Sequence, residues 1–300
     1  MSINLIPTFA SQEFGTAINL LLQQKGSKLA GTVMVGSHKG KQASPVNQLG
    51  AIEATKVISR FAPMGRVDAT TDRRWVSPTD YELPQLIDSF DKLRIVADPS
   101  GEYVQNAMLA MGRKRDAEIL AAFTGTAKTG ETGGTSTSFT AGNEVDVSFG
   151  GTNTKLTVAK LREVRRLMMA NHIDFEVEEA YIGITAADHD SLLNEAQIIS
   201  SDFNGGTKPV LQDGRVMRFM GFNFVHCELI ETELSGTNEV TLPVWVKSGM
   251  HLGIWNDVQT SISVRNDLTS LPWQAYAVQT IGATRLEEKK VYAIESYRAS

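Results

Sequence analysis

The chain contains very few of the residues that build covalent or metal-held frameworks. Cys227 is its single cysteine, which excludes an internal disulfide and a cysteine-ligated structural zinc site. No run approaches about 18 apolar residues, and the first residues show neither a basic region nor an apolar leader. These absences predict a protein that folds in a reducing compartment and neither crosses a membrane nor carries a secretion signal.

The motifs that mark common enzymes and metal centres are absent as well. The five histidines are scattered, and neither an H-E-x-x-H helix nor a G-x-S-x-G elbow occurs. Residues 125–132 have the glycine spacing of a phosphate-binding loop, but Glu131 replaces the lysine that would reach the phosphates. Asp188, His189 and Asp190 follow one another on a predicted helix, so their side chains diverge by about 100° and do not converge on one ion. We therefore predict no enzyme activity, no cofactor and no metal.

The charge balance argues against tight binding to nucleic acid. There are 29 Lys and Arg against 34 Asp and Glu, a formal net charge of -5. Tight binding to duplex DNA requires many basic residues that neutralise phosphates. The balance is compatible with a mildly acidic wall that touches DNA only at local basic spots. Basic residues on two predicted helices are candidates for such spots, and a solvated face explains them equally well: Arg113, Lys114, Arg115, Arg162, Arg165 and Arg166.

The longest predicted element is an α-helix over residues 98–125. Asp98 is a favourable N-cap, Pro99 suits the first helical position and Gly125 ends the helix. About 25 residues at roughly 1.5 Å each give a rod of about 37 Å, long enough to be the spine of the molecule. Charged residues 113–116 interrupt its apolar run, so the helix is predicted to pack on one side only. The apolar residues at helical spacing are Val104, Met108, Met111, Ile119 and Phe123.

The segments that precede this helix are polar. Residues 11–24 predict a short amphipathic helix. Residues 25–50 contain five glycines, and we interpret them either as a disordered tail or as an arm that becomes ordered on another subunit. Residues 51–79 predict a long hairpin with a type I turn at residues 62–65, because apolar and polar residues alternate after that turn.

The predicted ribbon over residues 51–79 carries charges of both signs and too few apolar residues to anchor it. A two-stranded ribbon alone is marginal in water, which favours a partner in another chain. A solvated hairpin without a partner fits the same pattern. The residues that we predict to contact neighbouring subunits are Lys56, Arg60, Arg66, Asp68, Asp72, Arg73, Arg74 and Trp75.

The second half of the chain alternates helical and extended patterns. Residues 124–155 are rich in Gly and Thr and predict a flexible surface loop. Residues 157–171 predict a helix with Lys160 on its outer face. A predicted strand over residues 180–184 is followed by a helix whose capping box pairs Thr185 with Asp188. The remaining predicted strands cover residues 216–227, 244–246, 252–255, 261–265, 275–283 and 290–297.

The predicted elements follow a distinctive order, in which a polar arm, a two-stranded extension and a spine helix precede a mixed domain whose last strands return. Four segments stand out within this order: DPSGEYVQNAMLAMGRKRDAEILAAFTGTAKTGET at residues 98–132, DGRVMRFMGFNFV at 213–225, SGMHLGIWNDV at 248–258 and GATRLEEKKVYAIES at 282–296. The segments and their order resemble the major capsid proteins of tailed double-stranded DNA phages, which have the Hong Kong 97-type fold, and the resemblance spans nearly the whole chain.

The resemblance implies an α+β fold with the parts of a Hong Kong 97-like phage capsid protein. Residues 1–50 would form the N-terminal arm and residues 51–97 the E-loop extension. Residues 98–175 and 273–300 would form the peripheral domain, and residues 176–272 the axial domain. Some family members join subunits through a lysine and an asparagine. Lys56 lies on the E-loop, but no matching asparagine and glutamate can be identified, so we do not predict this crosslink.

The resemblance also implies partners. Pentamers and hexamers of the chain would form an icosahedral shell around the phage double-stranded DNA genome, with weak non-specific contact to the DNA and no membrane. The shell would be assembled in the host cytoplasm and become the virion capsid. Because the chain starts almost at the arm, a separate scaffolding protein is expected beside the portal, while a decoration protein and cleavage of a longer precursor stay open. An encapsulin-like bacterial nanocompartment shell and a cytoplasmic α/β enzyme are the alternatives.

Overall fold

The structure is a computed structural model that describes residues 23–56, 59, 65–87, 100–195, 198, 214, 216–236 and 238–298. Residues 11–22 of the helix predicted at 11–24, residues 62–64 of the turn predicted at 62–65, Arg60, Asp98 and Pro99 lie outside the described residues. Within the described ranges, no helix combines the length and the apolar character that a membrane span needs. The described chain mixes helices and sheets, as the α+β prediction requires.

The described helices and strands have the following bounds. The α-helices are α1 (Ser100–Thr124), α2 (Val158–Ala170), α3 (Ala186–Leu193) and α4 (Leu229–Glu233). The strands are β1 (Met34–Ser37), β2 (Ala43–Leu49), β3 (Thr71–Val76), β4 (Thr79–Ile87), β5 (Ala127–Thr129), β6 (Thr135–Thr137), β7 (Glu144–Val145), β8 (Ala180–Ile184), β9 (Arg218–Phe219), β10 (Phe222–His226), β11 (Glu239–Val246), β12 (Met250–Val264), β13 (Trp273–Arg285) and β14 (Val291–Tyr297).

The described strands form three sheets. A helix-backed sheet has the order β1-β12-β13-β4, a central sheet has the order β7-β14-β11-β8-β10-β9, and a ribbon sheet has the order β2-β3-β5-β6. In the helix-backed sheet, β12 and β13 form a long antiparallel hairpin that runs from the Met250–Arg285 pair to the Val264–Trp273 pair. The predicted strands at 252–255 and 261–265 are thus parts of one strand.

Helix α1 lies on one face of the helix-backed sheet. Ala107 and Met111 pack on Ala277, and the Gln279 amide donates to the Met111 carbonyl oxygen at 3.0 Å. Farther along, Phe123 packs on the Trp245 ring of the central sheet with a centroid distance of 4.7 Å. The predicted spine helix is confirmed: α1 spans Ser100–Thr124, and its first half packs on the helix-backed sheet while its last turn packs on the central sheet.

Residues 25–50 fold against their own chain. Leu29 and Val33 are buried in the main core, and β1 pairs in parallel with β12. The carboxylate of Asp116 accepts hydrogen bonds from the backbone N–H groups of Lys28 at 2.8 Å and Leu29 at 3.1 Å. Both interpretations of this segment, a disordered tail and an arm that becomes ordered on another subunit, are therefore wrong. The two buried side chains, the β1–β12 pairing and the hydrogen bonds to Asp116 hold the segment on its own chain.

The predicted ribbon exists, but with different partner strands. The alternating residues form β3, whose antiparallel partner is β2 and not residues 51–61. Strand β3 also pairs with β5, and β5 with β6, so the ribbon has partners within the chain. The β5–β6 hairpin replaces part of the flexible loop predicted at residues 124–155, and Gly130 and Gly133 supply its positive φ angles of 88° and 75°.

For three side chains on α1 and α2, burial is the reverse of what the sequence predicted. Met108 is exposed, whereas Asp116 and Lys160 are each 0% exposed. The Lys160 ammonium group donates to backbone carbonyl oxygens of Val147, Thr154 and Glu295 at 3.2, 2.9 and 2.6 Å. Charged residues can be buried where backbone carbonyls replace water, and sequence periodicity does not show this.

Several local predictions in the second half are confirmed. Strand β8 covers residues 180–184, and Thr185 and Asp188 form the capping box of α3. Asp188 also accepts from Arg298 Nη2 at 2.6 Å and Ser296 Oγ at 2.7 Å, which gives it a structural role.

The boundaries between the peripheral and axial domains remain a proposal. The sheets to which β12 and β14 belong are relevant to where these boundaries lie. Strand β12, assigned to the axial domain, pairs with β13 beside the spine helix. Strand β14, assigned to the peripheral domain, belongs to the central sheet with β8 and β11. A boundary at residue 272 therefore separates strands that pair.

Candidate assembly surface

A long excursion of the chain connects β2 to β3. The Gly50 N–H donates to the Thr70 carbonyl oxygen at 2.7 Å and closes the base of the loop formed by residues 50–70. The described residues within this loop have no helix or strand, and nearly all are exposed. We call residues 50–70 the extended loop.

Apolar side chains at and beside this loop lie in solvent. Leu49, Ile52 and Val67 are 73%, 61% and 48% exposed. Scattered exposed apolar residues are ordinary, but three on one excursion form a candidate contact surface. The subunit contacts predicted from the sequence are charged residues and Trp75, and they do not include these three. Apolar residues within a polar segment were the sequence signal that could have identified them.

The predicted subunit contacts fall into two groups. Lys56, Arg66, Asp68 and Arg73 are exposed on the extended loop or on β3. Arg66 Nε and Asp68 Oδ1 are 2.7 Å apart, and because both side chains are largely exposed, this pair contributes little to stability. These four residues remain available to a neighbouring subunit.

The other described members of the set have partners within the chain. Arg74 is only 6% exposed and pairs with Glu288, so its expected contact with a neighbouring subunit is corrected to an internal one. Trp75 is half-buried, and its Nε1 donates to the Gly130 carbonyl oxygen at 2.7 Å. Asp72 accepts from the Gly130 N–H at 2.9 Å. Strand β3 thus fixes the root of the extended loop.

The candidate DNA-facing residues of α1 also differ in exposure. Arg113 Nη1 donates to Gln23 Oε1 at 2.6 Å, and Arg115 pairs with Asp257 at 2.7 Å. Lys114 is exposed, with its ammonium group 5.0 Å from the centre of the Tyr81 ring. Only Lys114 of these three lacks a hydrogen-bonded or ionic partner among the described residues.

Helix α2 carries the second set of basic candidates. The Arg165 guanidinium donates to the Met220 carbonyl oxygen and lies 4.9 Å from the Phe175 ring centre. Arg166 is exposed and pairs with Glu163 one turn earlier, and Arg162 is exposed. The basic residues that stay candidates for phosphate contact are Lys114, Arg162 and Arg166.

The described residues provide no arrangement that indicates catalysis. No group of three or more His, Cys, Asp or Glu among them is placed to hold a metal ion. A polar cavity of about 640 Å³ lies between β2, β3 and the β5–β6 turn, beside Asp72 and Arg73. Burial, with Glu144 nearby, raises the pKa of Glu295 to about 7, and burial lowers the pKa of Lys160 to about 8. Both groups belong to the packing between α2 and β14.

Comparisons with known proteins agree with this architecture. The model of the family described as phage capsid protein matches residues 6–297. The capsid of cyanophage P-SCSP1u is similar with a TM-score of 0.71 at 14% identity, over 96% of this chain and 93% of that chain. The capsid of cyanophage Pam1 is similar with a TM-score of 0.73 at 11% identity, over 100% of both chains.

A third solved capsid points the same way. The mature capsid of bacteriophage PhiM1 is similar with a TM-score of 0.68 at 11% identity, over 95% of this chain and 91% of that chain. No curated protein matches the chain. The family match covers nearly the whole sequence, and the structural matches cover all three sheets. The chain therefore belongs to the phage capsid protein family, has the Hong Kong 97-type fold, and functions as a tailed-phage major capsid protein that builds an icosahedral shell.

Proposed function

We propose that this capsid protein assembles as pentamers and hexamers into a closed shell around double-stranded DNA. A separate scaffolding protein would guide assembly, a portal would occupy one vertex, and a decoration protein can be added to the outside. Assembly would take place in the host cytoplasm, and contact with the DNA would be weak and non-specific. The protein acts by binding copies of itself and needs no chemical step.

The observation that carries this proposal is the extended loop with its exposed apolar residues. Full burial of a Leu, Ile or Val side chain is worth about 1.5–3 kcal/mol, so Leu49, Ile52 and Val67 favour contact with a second subunit. Each contact is modest, but a closed shell uses many of them in parallel. A loop that reaches away from a rigid root can keep these contacts at both pentamer and hexamer angles.

Two glycines suit this task, Gly50 at the base of the extended loop and Gly40 before β2. A Cβ at Gly50 would lie 2.2 Å from the Thr70 hydroxyl oxygen and 3.2 Å from the Thr70 carbonyl oxygen, so a larger residue would require Thr70 to move at the base of the loop. Gly40 has a φ of 88°, and no atom lies within 4 Å of the position that a Cβ would take, which leaves room for the chain before β2 to bend. Gly50 thus allows the close approach at the root, and Gly40 supplies a positive φ angle before β2, where its carbonyl oxygen accepts from Trp255 Nε1 at 2.8 Å.

The test is to express the chain with and without its scaffolding protein and to examine the products by sedimentation and electron microscopy. We expect closed shells with pentameric and hexameric capsomers, and nuclease-resistant DNA in particles purified from infected cells. The double variant Ile52→Asp/Val67→Asp should stay unassembled with an unchanged melting temperature. Val177→Asp is the matched control, since Val177 is 80% exposed and lies outside the loop.

Two results would contradict the proposal. One is a wild-type chain that remains monomeric under every expression condition. The other is normal shell formation by Ile52→Asp/Val67→Asp, which would mean that the extended loop makes no essential subunit contact. Shells that hold protein cargo instead of DNA would support the nanocompartment alternative.

A further inference from the structure

The C-terminal end of α1 is held by a buried arginine. Arg285, the last residue of β13, is 0% exposed. Its Nη1 donates to the carbonyl oxygens of Phe123 at 2.8 Å, Ala122 at 3.2 Å and Gly125. The last carbonyls of a helix lack intrahelical partners and carry partial negative charge, so this guanidinium caps the spine helix.

One carboxylate joins this cap to the root of the extended loop. Glu288 Oε2 lies 3.0 Å from Arg285 Nε, and Glu288 Oε1 lies 3.0 Å from Arg74 Nη1 on β3. Arg74 Nε has no hydrogen-bond partner among the described residues, so this nearly buried guanidinium depends on Glu288. The two ion pairs connect the end of α1 to β3.

The second strand of the root contacts the same short turn. The Gln48 amide on β2 donates to the Leu286 carbonyl oxygen, two residues before Glu288. Both strands that lead into the extended loop are therefore attached to residues 286–290. The root is also attached through the pairing of β3 with β5, in which Arg74 lies opposite Thr129, and through the hydrogen bonds of Trp75 and Asp72 to Gly130.

We propose that Glu288 is a positioning residue that sets the angle at which the extended loop leaves the body of the subunit. In the shell this angle determines how neighbouring subunits tilt, a consequence that rests on the proposed function. A buried ion pair often adds little net stability compared with a well-packed apolar pair, but its geometry is restrictive. Each oxygen of Glu288 accepts from a different arginine, so the carboxylate is held between Arg74 and Arg285.

The variants Glu288→Gln and Arg74→Met test the proposal in two ways. On the unassembled subunit, amide hydrogen exchange should become about tenfold faster in β2 and β3, while α1 and β11 keep their protection. In assembly, the variants should give open sheets, tubes or shells of altered size. Arg74→Met retains most of the apolar stem, which protects the measurement against simple failure to fold, and Arg74→Lys should restore part of the exchange protection.

Glu287→Gln is the matched control, because Glu287 is the adjacent acid and its carboxylate lies 3.7 Å from Lys290 Nζ in a partly exposed pair. It should behave as wild type in both measurements. Unchanged exchange in β2 and β3 with normal shells in both test variants would overturn the proposal. Faster exchange throughout α1 and β11 would also overturn it, because Glu288 would then support the whole fold and not the loop angle.

The exchange measurement separates this proposal from the proposed function. If exchange becomes faster only in β2 and β3 but the wild-type chain never assembles, Glu288 still positions the loop and the proposed shell function is wrong. If Glu288→Gln and Arg74→Met show faster exchange in β2 and β3 but still form normal shells, the loop angle does not determine how neighbouring subunits tilt.

Discussion

At the scale of single residues, a pair of histidines joins the end of β1 to β12. His38 Nε2 and His251 Nε2 are 2.8 Å apart, and His251 is only 5% exposed. Burial and then the neighbouring His38 lower the pKa of His251 to about 4, and burial also lowers the pKa of His38. The fold therefore holds both rings in the neutral form at neutral pH.

Because of this pair, we predict that the unfolding free energy of the subunit decreases as the pH falls. An unfolded histidine has a pKa of about 6.5, so the stability from neutral His251 is fully present above that pH and is lost as the pH falls towards 4. Between pH 7.5 and pH 4, the wild-type chain should lose up to about 3 kcal/mol more unfolding free energy than the His251→Gln variant. Urea unfolding of the unassembled subunit at several pH values measures the difference.

His172→Asn is the control for this prediction. His172 is exposed and has a φ of 64°, a conformation that asparagine tolerates. It should show the wild-type dependence on pH. Equal losses for the wild-type chain and His251→Gln would mean that His251 is not held neutral by the fold.

At the scale of elements, α1 is in direct contact with the N-terminal segment at Gly112. A Cβ at this position would lie 2.7 Å from the Gly26 backbone, and one turn later Asp116 binds the N–H groups of Lys28 and Leu29. Glycine lowers helix stability by roughly 0.5–1 kcal/mol relative to alanine. The close approach of the two backbones explains why glycine occurs here, inside a helix.

We expect Gly112→Ala to displace residues 24–29 from the helix. The loss of the Asp116 contacts would leave a buried carboxylate without its donors and cost about 1–3 kcal/mol. Limited proteolysis of the unassembled subunit should then cut near residues 25–28, and urea unfolding should show the lower stability. Gly101→Ala is the matched control on the same helix, since nothing lies within 4 Å of its Cβ position, and it should be neutral or slightly stabilising. Wild-type proteolysis of Gly112→Ala would contradict the expectation.

At the scale of the whole molecule, the net charge argues against tight binding of the subunit to DNA. The net charge is -5, and Arg113, Arg115 and Arg165 already have partners within the chain. A shell protein that bound DNA tightly would resist both packaging and release. Of the candidate basic residues on the described helices α1 and α2, Lys114, Arg162 and Arg166 remain exposed for local contact with phosphates.

The unassembled subunit should accordingly bind duplex DNA weakly. At about 150 mM salt we expect a dissociation constant weaker than roughly 10 µM by fluorescence anisotropy. At low salt the triple variant Lys114→Gln/Arg162→Gln/Arg166→Gln should bind less tightly and with a smaller salt dependence, and Lys128→Gln on β5 should match wild type. Submicromolar binding at the higher salt concentration would contradict the reasoning from charge.

The sequence alone determined the elements that depend on local signals. Alternation predicted β3, the capping box predicted the start of α3, and helical spacing predicted α1 within two residues of its described ends. The family resemblance then supplied the overall order of parts and the function as a capsid protein. These features are local because a periodic pattern or a cap acts over a few residues.

Only the tertiary structure decided which segments meet. Strand β2 was hidden in a polar segment, and its pairing with β3 moved the extended loop to residues 50–70. The buried charges Asp116 and Lys160 were predicted on exposed helix faces, because their partners include backbone groups that only folding brings to them. Such partners exist only after the chain has folded, and a one-dimensional pattern of apolar and polar residues cannot contain them.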